Sequence, residues 1–280
     1  MSNTPAPAAP QPTVVATSSV KPTAAMGHRP GARTLAVTSG KGGVGKTFVA
    51  ANLAAALAAL GQKVLVLDAD LGLANLDVVL NLHPKLTLHD VFTGKSTLEQ
   101  AILPAPGGFS VLLAGSGMVE YSRLTPEIRD KLLDILELVK PRFDWVLLDT
   151  GAGISDVVLF SISMAADVLV VATPEPTSLT DAYATIKVLA TQQDRRHVGL
   201  LVNQANRVGE GKLICGQLQQ VLQRFVGMAP GKTFKLELLG EVKTDPSVKQ
   251  AVLKRQLVLE HYPGCDAAQA IKALAAKLLA

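Results

Sequence analysis

Apolar and polar positions along this chain alternate between short, nearly unbroken apolar runs and longer stretches with apolar residues three or four apart. The first run, Leu35-Ala36-Val37, leads through a glycine-rich segment into Val49, Leu53, Ala56, Leu57 and Leu60, a helical face that Gly61 closes. Residues 63–67 are almost continuously apolar, as strands covered on both faces are. The run at 109–113 reads as a short strand, placed antiparallel at the sheet edge. Pro126 opens an amphipathic helix through Ile128, Leu132, Leu133, Leu136 and Val139, with the proline at the first helical position. Further strands are expected at 145–148, 168–172, 198–202 and 236–240, with helices around 179–191 and 266–279. Strand and helix thus alternate from Thr34 onward. That order predicts an α/β fold, a doubly wound, mostly parallel sheet with helices on both faces, whose ligands sit at the strand carboxyl ends.

The chemistry starts at the end of the first strand. Gly40-Lys41-Gly42-Gly43-Val44-Gly45-Lys46-Thr47 has the spacing G-x-x-x-x-G-K-[ST], between a strand and a helix as the phosphate-binding P-loop requires. Gly42, Gly43 and Gly45 let successive N–H groups form a concave nest, and the helix that starts there adds its positive dipole end. Lys46 is then expected at the β- and γ-phosphates and the Thr47 hydroxyl on Mg²⁺. Lys41 is not demanded by this pattern, and by itself it reads equally well as a solvated lysine.

Acids follow the next strands. The 63–67 run ends in Asp68-Ala69-Asp70, and four apolar residues at 145–148 precede Asp149, the Walker B arrangement. Mg²⁺ takes oxygen ligands and keeps several waters, so Thr47 and Asp149, with Asp68 in support, form a sufficient set. Phosphoryl transfer to water also needs a carboxylate within reach of the nucleophile, and Asp70 is the candidate. Short strand-to-helix loops favour aspartate for capping as well, so loop stabilisation is the competing role for Asp68 and Asp70. Lys46, Asp68, Asp70, Asp149 and Asn203 all follow strands and are expected to converge on one edge of the sheet.

Composition narrows the picture. A chain of 280 residues, 48% hydrophobic but only 4% aromatic, builds its core from Ala, Val and Leu. A formal charge of +4 is mild. Cys215 and Cys265 form no C-x-x-C pair, and the five histidines are scattered, so neither a redox nor a zinc site is expected. No apolar run approaches the ~20 residues of a membrane span. A soluble, cytoplasmic protein is the expectation. Residues 1–33 are Pro-, Ala-, Ser- and Thr-rich and lack acids, the composition of a disordered arm, which leaves 34–280 as a single domain. The positive residues Lys21, Arg29 and Arg33 are assigned to that arm.

Several stretches together resemble the MinD/ParA ATPases. They are Gly40-Lys41-Gly42-Gly43-Val44-Gly45-Lys46-Thr47 with its early lysine, the run from Asp68 to Asp77, Asp149 to Gly153, and the run from Pro174 to Tyr183. Asp68-Ala69-Asp70-Leu71-Gly72-Leu73-Ala74-Asn75-Leu76-Asp77 and Pro174-Glu175-Pro176-Thr177-Ser178-Leu179-Thr180-Asp181-Ala182-Tyr183 are most similar to the FleN/FlhG flagellar-number branch. The resemblance implies ATP and Mg²⁺ as cofactors, an ATP-dependent homodimer and slow hydrolysis. It further implies that Lys41 touches the phosphates across the dimer, that Asp70 orients the water and that Asn203 bonds adenine. The implied partners are a flagellar signal-recognition-type GTPase, a flagellar transcription activator or a switch-complex protein. Two departures stand out: Gly151 and Lys243 occupy places where the family has prolines. The last helix carries only Lys272 and Lys277 as basic residues and no aromatic, so weak peripheral contact with the inner membrane face is less favoured than a structural role. DNA segregation is the alternative function, with Arg195, Arg196, Lys249, Lys254 and Arg255 as the basic patch, and MinD-type division positioning is another.

Overall fold

Strand parity organises the molecule. In the computed structural model, which describes residues 31–72, 75–115, 124–226 and 233–280, the chain forms the strands β1 (Arg33–Ser39), β2 (Val64–Ala69), β3 (Ile102–Pro104), β4 (Ser110–Leu112), β5 (Trp145–Ala152), β6 (Asp167–Ala172), β7 (His197–Ala205) and β8 (Lys235–Lys243). The helices are α1 (Lys46–Ala59), α2 (Leu76–Leu80), α3 (Leu88–Phe92), α4 (Leu98–Ala101), α5 (Pro126–Val139), α6 (Asp156–Ser163), α7 (Pro176–Gln192), α8 (Glu210–Phe225), α9 (Pro246–Leu253), α10 (Val258–His261) and α11 (Asp266–Leu279). The sheet order is β3-β4-β2-β5-β1-β6-β7-β8. All neighbours pair parallel except β3 with β4.

Successive strand residues point to opposite faces, and here each face has its own core. Ala36, Leu65, Leu67, Val146, Leu148, Val168, Val170, Leu200 and Val202 join α5, α6, α7 and α8 on one side. Leu35, Val37, Val64, Val66, Trp145, Leu147, Leu169 and Val171 join α1, α10 and α11 on the other. The doubly wound architecture expected from the alternation of elements is the one observed.

Three expectations need correction. The 109–113 run does contain a strand, but β4 pairs parallel with β2, and the antiparallel edge strand is the three-residue β3. A segment that short carries no readable alternation. Helix α1 is not one-faced: every residue from Phe48 to Leu57 is buried between the sheet and α11, whereas Leu60 lies beyond the helix and is 50% exposed. Arg33 belongs to β1, not to the arm. Its guanidinium stacks 4.4 Å from the Trp145 ring centroid and donates to the Leu278 carbonyl at 2.6 Å. The rest of the expected arm, residues 1–30, lies outside the described residues, as do Leu73 and Ala74.

The terminal helix α11 buries Ala267, Ala268, Ile271, Leu274 and Ala275 against α1 and β8. It is an integral part of the second core. Among the described residues no helix is long and apolar enough to cross a membrane.

Candidate functional site

A cleft of about 920 Å³ opens at the carboxyl edge of the sheet, lined among others by Gly43, Lys46, Thr47, Asp68, Asp70, Asp149 and Asn203. Lys46, Asp68, Asp70, Asp149 and Asn203 are the residues that sequence position alone placed after strands; Asp68, Asp149 and Asn203 instead lie within β2, β5 and β7, near their carboxyl ends. The sheet register shows why they meet. Asp68 on β2 stands directly beside Asp149 on β5. Both have the parity of Val66 and Leu147, so they face the α1 side, where the P-loop lies.

Within the loop, Gly43 and Gly45 adopt φ of +78° and +97°. Gly45 admits no side chain for a second reason: a Cβ there would overlap the Asn203 amide. That amide is buried and donates from Nδ2 to the Val44 carbonyl at 2.8 Å. Asn203 therefore ties the crest of the loop to β7 besides lining the cleft.

The charges in the cleft are strongly perturbed. Burial holds the Lys46 ammonium below the usual lysine range, while Asp149 and Asp70 pull it back up. Burial raises Asp149 to about 7 against a hydrogen bond from the Thr47 hydroxyl and the attraction of Lys46, with Asp70 adding to the rise. Asp68 is driven well above the carboxylate range, first by burial and then by Asp149, although the Asp70 N–H donates to its Oδ1 at 3.2 Å. Lys46 thus faces two acids, Asp149 and Asp70. Asp149 Oδ1 and Asp68 Oδ2 are buried without a hydrogen-bond partner. Buried oxygens in that condition cost free energy unless something positive meets them.

The donor set fits a hard cation that brings its own waters. Thr47, Asp149 and Asp68 offer oxygens only, as Mg²⁺ prefers. Among the described residues no group of three or more His, Cys, Asp or Glu forms a metal cage.

The same titrations set a pH dependence. Asp149 binds its proton up to about pH 7 in the folded state but only to about 3.9 when unfolded. Between those limits the folded chain binds more protons, so stability falls as pH rises. The loss for Asp149 alone is on the order of 3 kcal/mol between about pH 5 and pH 8, and Asp68 acts in the same direction. The melting temperature of the nucleotide-free protein is expected to drop over that range, and Mg²⁺ with ADP should flatten the drop. A melting temperature that stayed level without ligand would mean both acids are already ionised in the folded state.

Asp70 is partly exposed at the cleft floor. The glycine at 151 now has a structural correlate: a Cβ there would meet Val158 Cγ2 at 3.1 Å and the Asp70 carboxyl at 3.4 Å. The other departure, Lys243, lines the cleft and pairs with Asp266 at 2.9 Å. Lys41 stands apart. Its ammonium bonds Glu175 and Thr177 of the same chain, at 2.8 and 3.0 Å.

One wall of the cleft was missed in the sequence. Val248, Lys249, Val252 and Leu253 of α9 line it, with Val252 and Leu253 among the exposed apolar residues. The signal was present in Asp245-Pro246, a capping acid before a proline at the first helical position; Asp245 Oδ1 does accept from the Ser247 N–H. The supposed basic patch is already partly engaged. Arg195 donates to the Ile162, Ala165 and Ala166 carbonyls at the end of α6, and Arg196 lies 3.6 Å from Asp194. Cys215 is buried, while Cys265 caps α11 by accepting from the Ala268 N–H.

A family model described as ParA, NUBPL iron-transfer P-loop NTPase, matches residues 32–279. The chain is 42% identical to the antiactivator FleN of Pseudomonas aeruginosa over 253 residues, 90% of this chain and 88% of that protein. It is 31% identical to the flagellum site-determining protein YlxH of Helicobacter pylori over 246 residues, 88% of this chain and 81% of the relative. Among solved structures, the septum site-determining protein MinD complexed with Mg-ADP from Pyrococcus horikoshii matches with a TM-score of 0.73 at 28% identity, covering 88% of this chain and 96% of that one.

Proposed function

The chain belongs to the ParA/MinD family of P-loop NTPases, and from that premise we propose that it is an ATP-binding, slowly hydrolysing dimerisation switch that regulates flagellar number or placement and flagellar gene expression through protein partners. The observation that carries the flagellar part is the 42% identity to FleN across nearly the whole chain, joined by the match to YlxH. What supports the nucleotide part is the cleft, with Lys46, Thr47 and the three acids on one sheet edge.

In this reading residues 34–280 act as one ATPase domain. Gly40 to Thr47 cradle the phosphates, and Lys46 neutralises the β- and γ-oxygens. Thr47 and Asp149 hold Mg²⁺ with Asp68 behind them. When bound, the ion neutralises phosphate charge as it develops during transfer. Asp70 orients the attacking water and accepts its proton. Asn203 keeps the loop in place through Val44 and retains an amide oxygen and a second N–H suited to the adenine edge. Lys41 reaches the partner's nucleotide in the ATP dimer. The flagellar partners are a signal-recognition-type GTPase, a transcription activator or a switch-complex protein, met in the cytoplasm or at the inner membrane face.

Flagella counted per cell by electron microscopy test this directly, in a strain lacking the gene and in one carrying only Asp70→Ala. An altered number or placement on deletion, with a distinct phenotype for Asp70→Ala, is the expected result. An unchanged count accompanied by plasmid or chromosome loss would move the function to DNA segregation.

A further inference from the structure

The start of the P-loop is packed against α7. A Cβ at Gly40 would overlap the Asp181 carbonyl, so the backbone there lies flush with the helix. The Ser39 hydroxyl donates to the Lys41 carbonyl at 2.7 Å and pins the next residue. From this fixed base the Lys41 ammonium bonds Glu175 Oε2 at 2.8 Å and Thr177 Oγ1 at 3.0 Å. Glu175 is the N-cap of the 17-residue α7, and Thr177 sits in its first turn.

That resting place is electrostatically odd. A helix N-terminus carries roughly half a positive charge and disfavours a cation. The Glu175 carboxylate is the group that reverses the sign locally. With it, Lys41 is held; without it, the same helix end repels the ammonium.

We propose that Glu175 and Thr177 form an intrachain latch on Lys41, which must open before the lysine can cross to the nucleotide of a second copy, so that the latch acts as a brake on dimerisation. The proposal rests on the reading above that Lys41 acts across an ATP dimer. Glu175 and Thr177 are positioning residues, acting through Lys41. The pair is partly solvent-exposed, with side-chain exposures of 38% and 62%, so it is weak enough to open when phosphate charge is offered.

The test is sedimentation velocity on the full chain over a protein concentration series, with Mg²⁺ and the non-hydrolysable analogue AMP-PNP. Wild type is compared with Glu175→Gln and Thr177→Val, and melting temperatures check folding. Both latches in a dimer open together, and exposed pairs are individually weak, so Glu175→Gln should dimerise at about 3- to 20-fold lower concentration. Thr177→Val should shift the same way by less. Dimerisation at unchanged or higher concentration in Glu175→Gln would overturn the latch and leave the dimer standing. Wild type and variant both binding a fluorescent ATP analogue yet staying monomeric would overturn the dimer reading, and the latch with it.

Discussion

Lys46→Ala is expected to weaken binding of Mg²⁺–ATP by about 10²-fold or more, the loss of two charge-assisted contacts to phosphate in a buried site. The lysine is also the cation that faces Asp149 and Asp70 inside the cleft. Its removal leaves carboxylates whose charged forms burial already disfavours. Asp149 should then hold its proton to still higher pH, which further opposes a metal–phosphate ligand. Titration of a fluorescent adenine nucleotide at pH 7 and at pH 8.5 measures both effects. The deficit should narrow at the higher pH, where Asp149 ionises without help. Affinity equal to wild type at both values would remove Lys46 from the phosphates.

Asp70→Ala is expected to separate binding from turnover. Asp70 is partly exposed, and in the proposed reading it is Lys46 and Asp149 that hold the nucleotide and its metal ion. Deleting Asp70 should therefore leave ATP affinity within a few-fold of wild type. Hydrolysis should fall by ~10²-fold or more, the usual contribution of a positioned proton acceptor. ATP-loaded dimer should accumulate in consequence. Single-turnover assays with labelled ATP, beside sedimentation of the same sample, read both quantities. A wild-type hydrolytic rate would transfer the water-orienting role to another group. Gly151 bears on this prediction, because a Cβ there would crowd Val158 Cγ2 at 3.1 Å and touch the Asp70 carboxyl at 3.4 Å.

Much of the site could be read from residue order because its parts are local. The P-loop is eight consecutive residues, and the proposed reading gives its glycines, Lys46 and Thr47 each a chemical task. Asp68, Asp70, Asp149 and Asn203 could be placed at one edge because parallel strands all end on the same side. The wall formed by α9 was harder to see, since Val248 and Val252 look like any apolar helical pair until β8 delivers them to the cleft. Arg33 and Arg195 were misjudged for a related reason. A sequence shows a positive charge, but only packing shows the Trp145 ring under one and the carbonyl end of α6 under the other.

By itself, then, the sequence determined the alternation of strand and helix, the phosphate loop and the acids near the strand carboxyl ends, because periodicity and short-range spacing are properties of neighbours along the chain. Tertiary structure alone decided that β4 runs parallel beside β2, that Asp68 stands next to Asp149 with both carboxyls pushed toward protonation, and that Lys41 rests on Glu175. Each of those depends on residues far apart in sequence meeting in a low-dielectric interior or at a helix end, where burial and proximity set the charge.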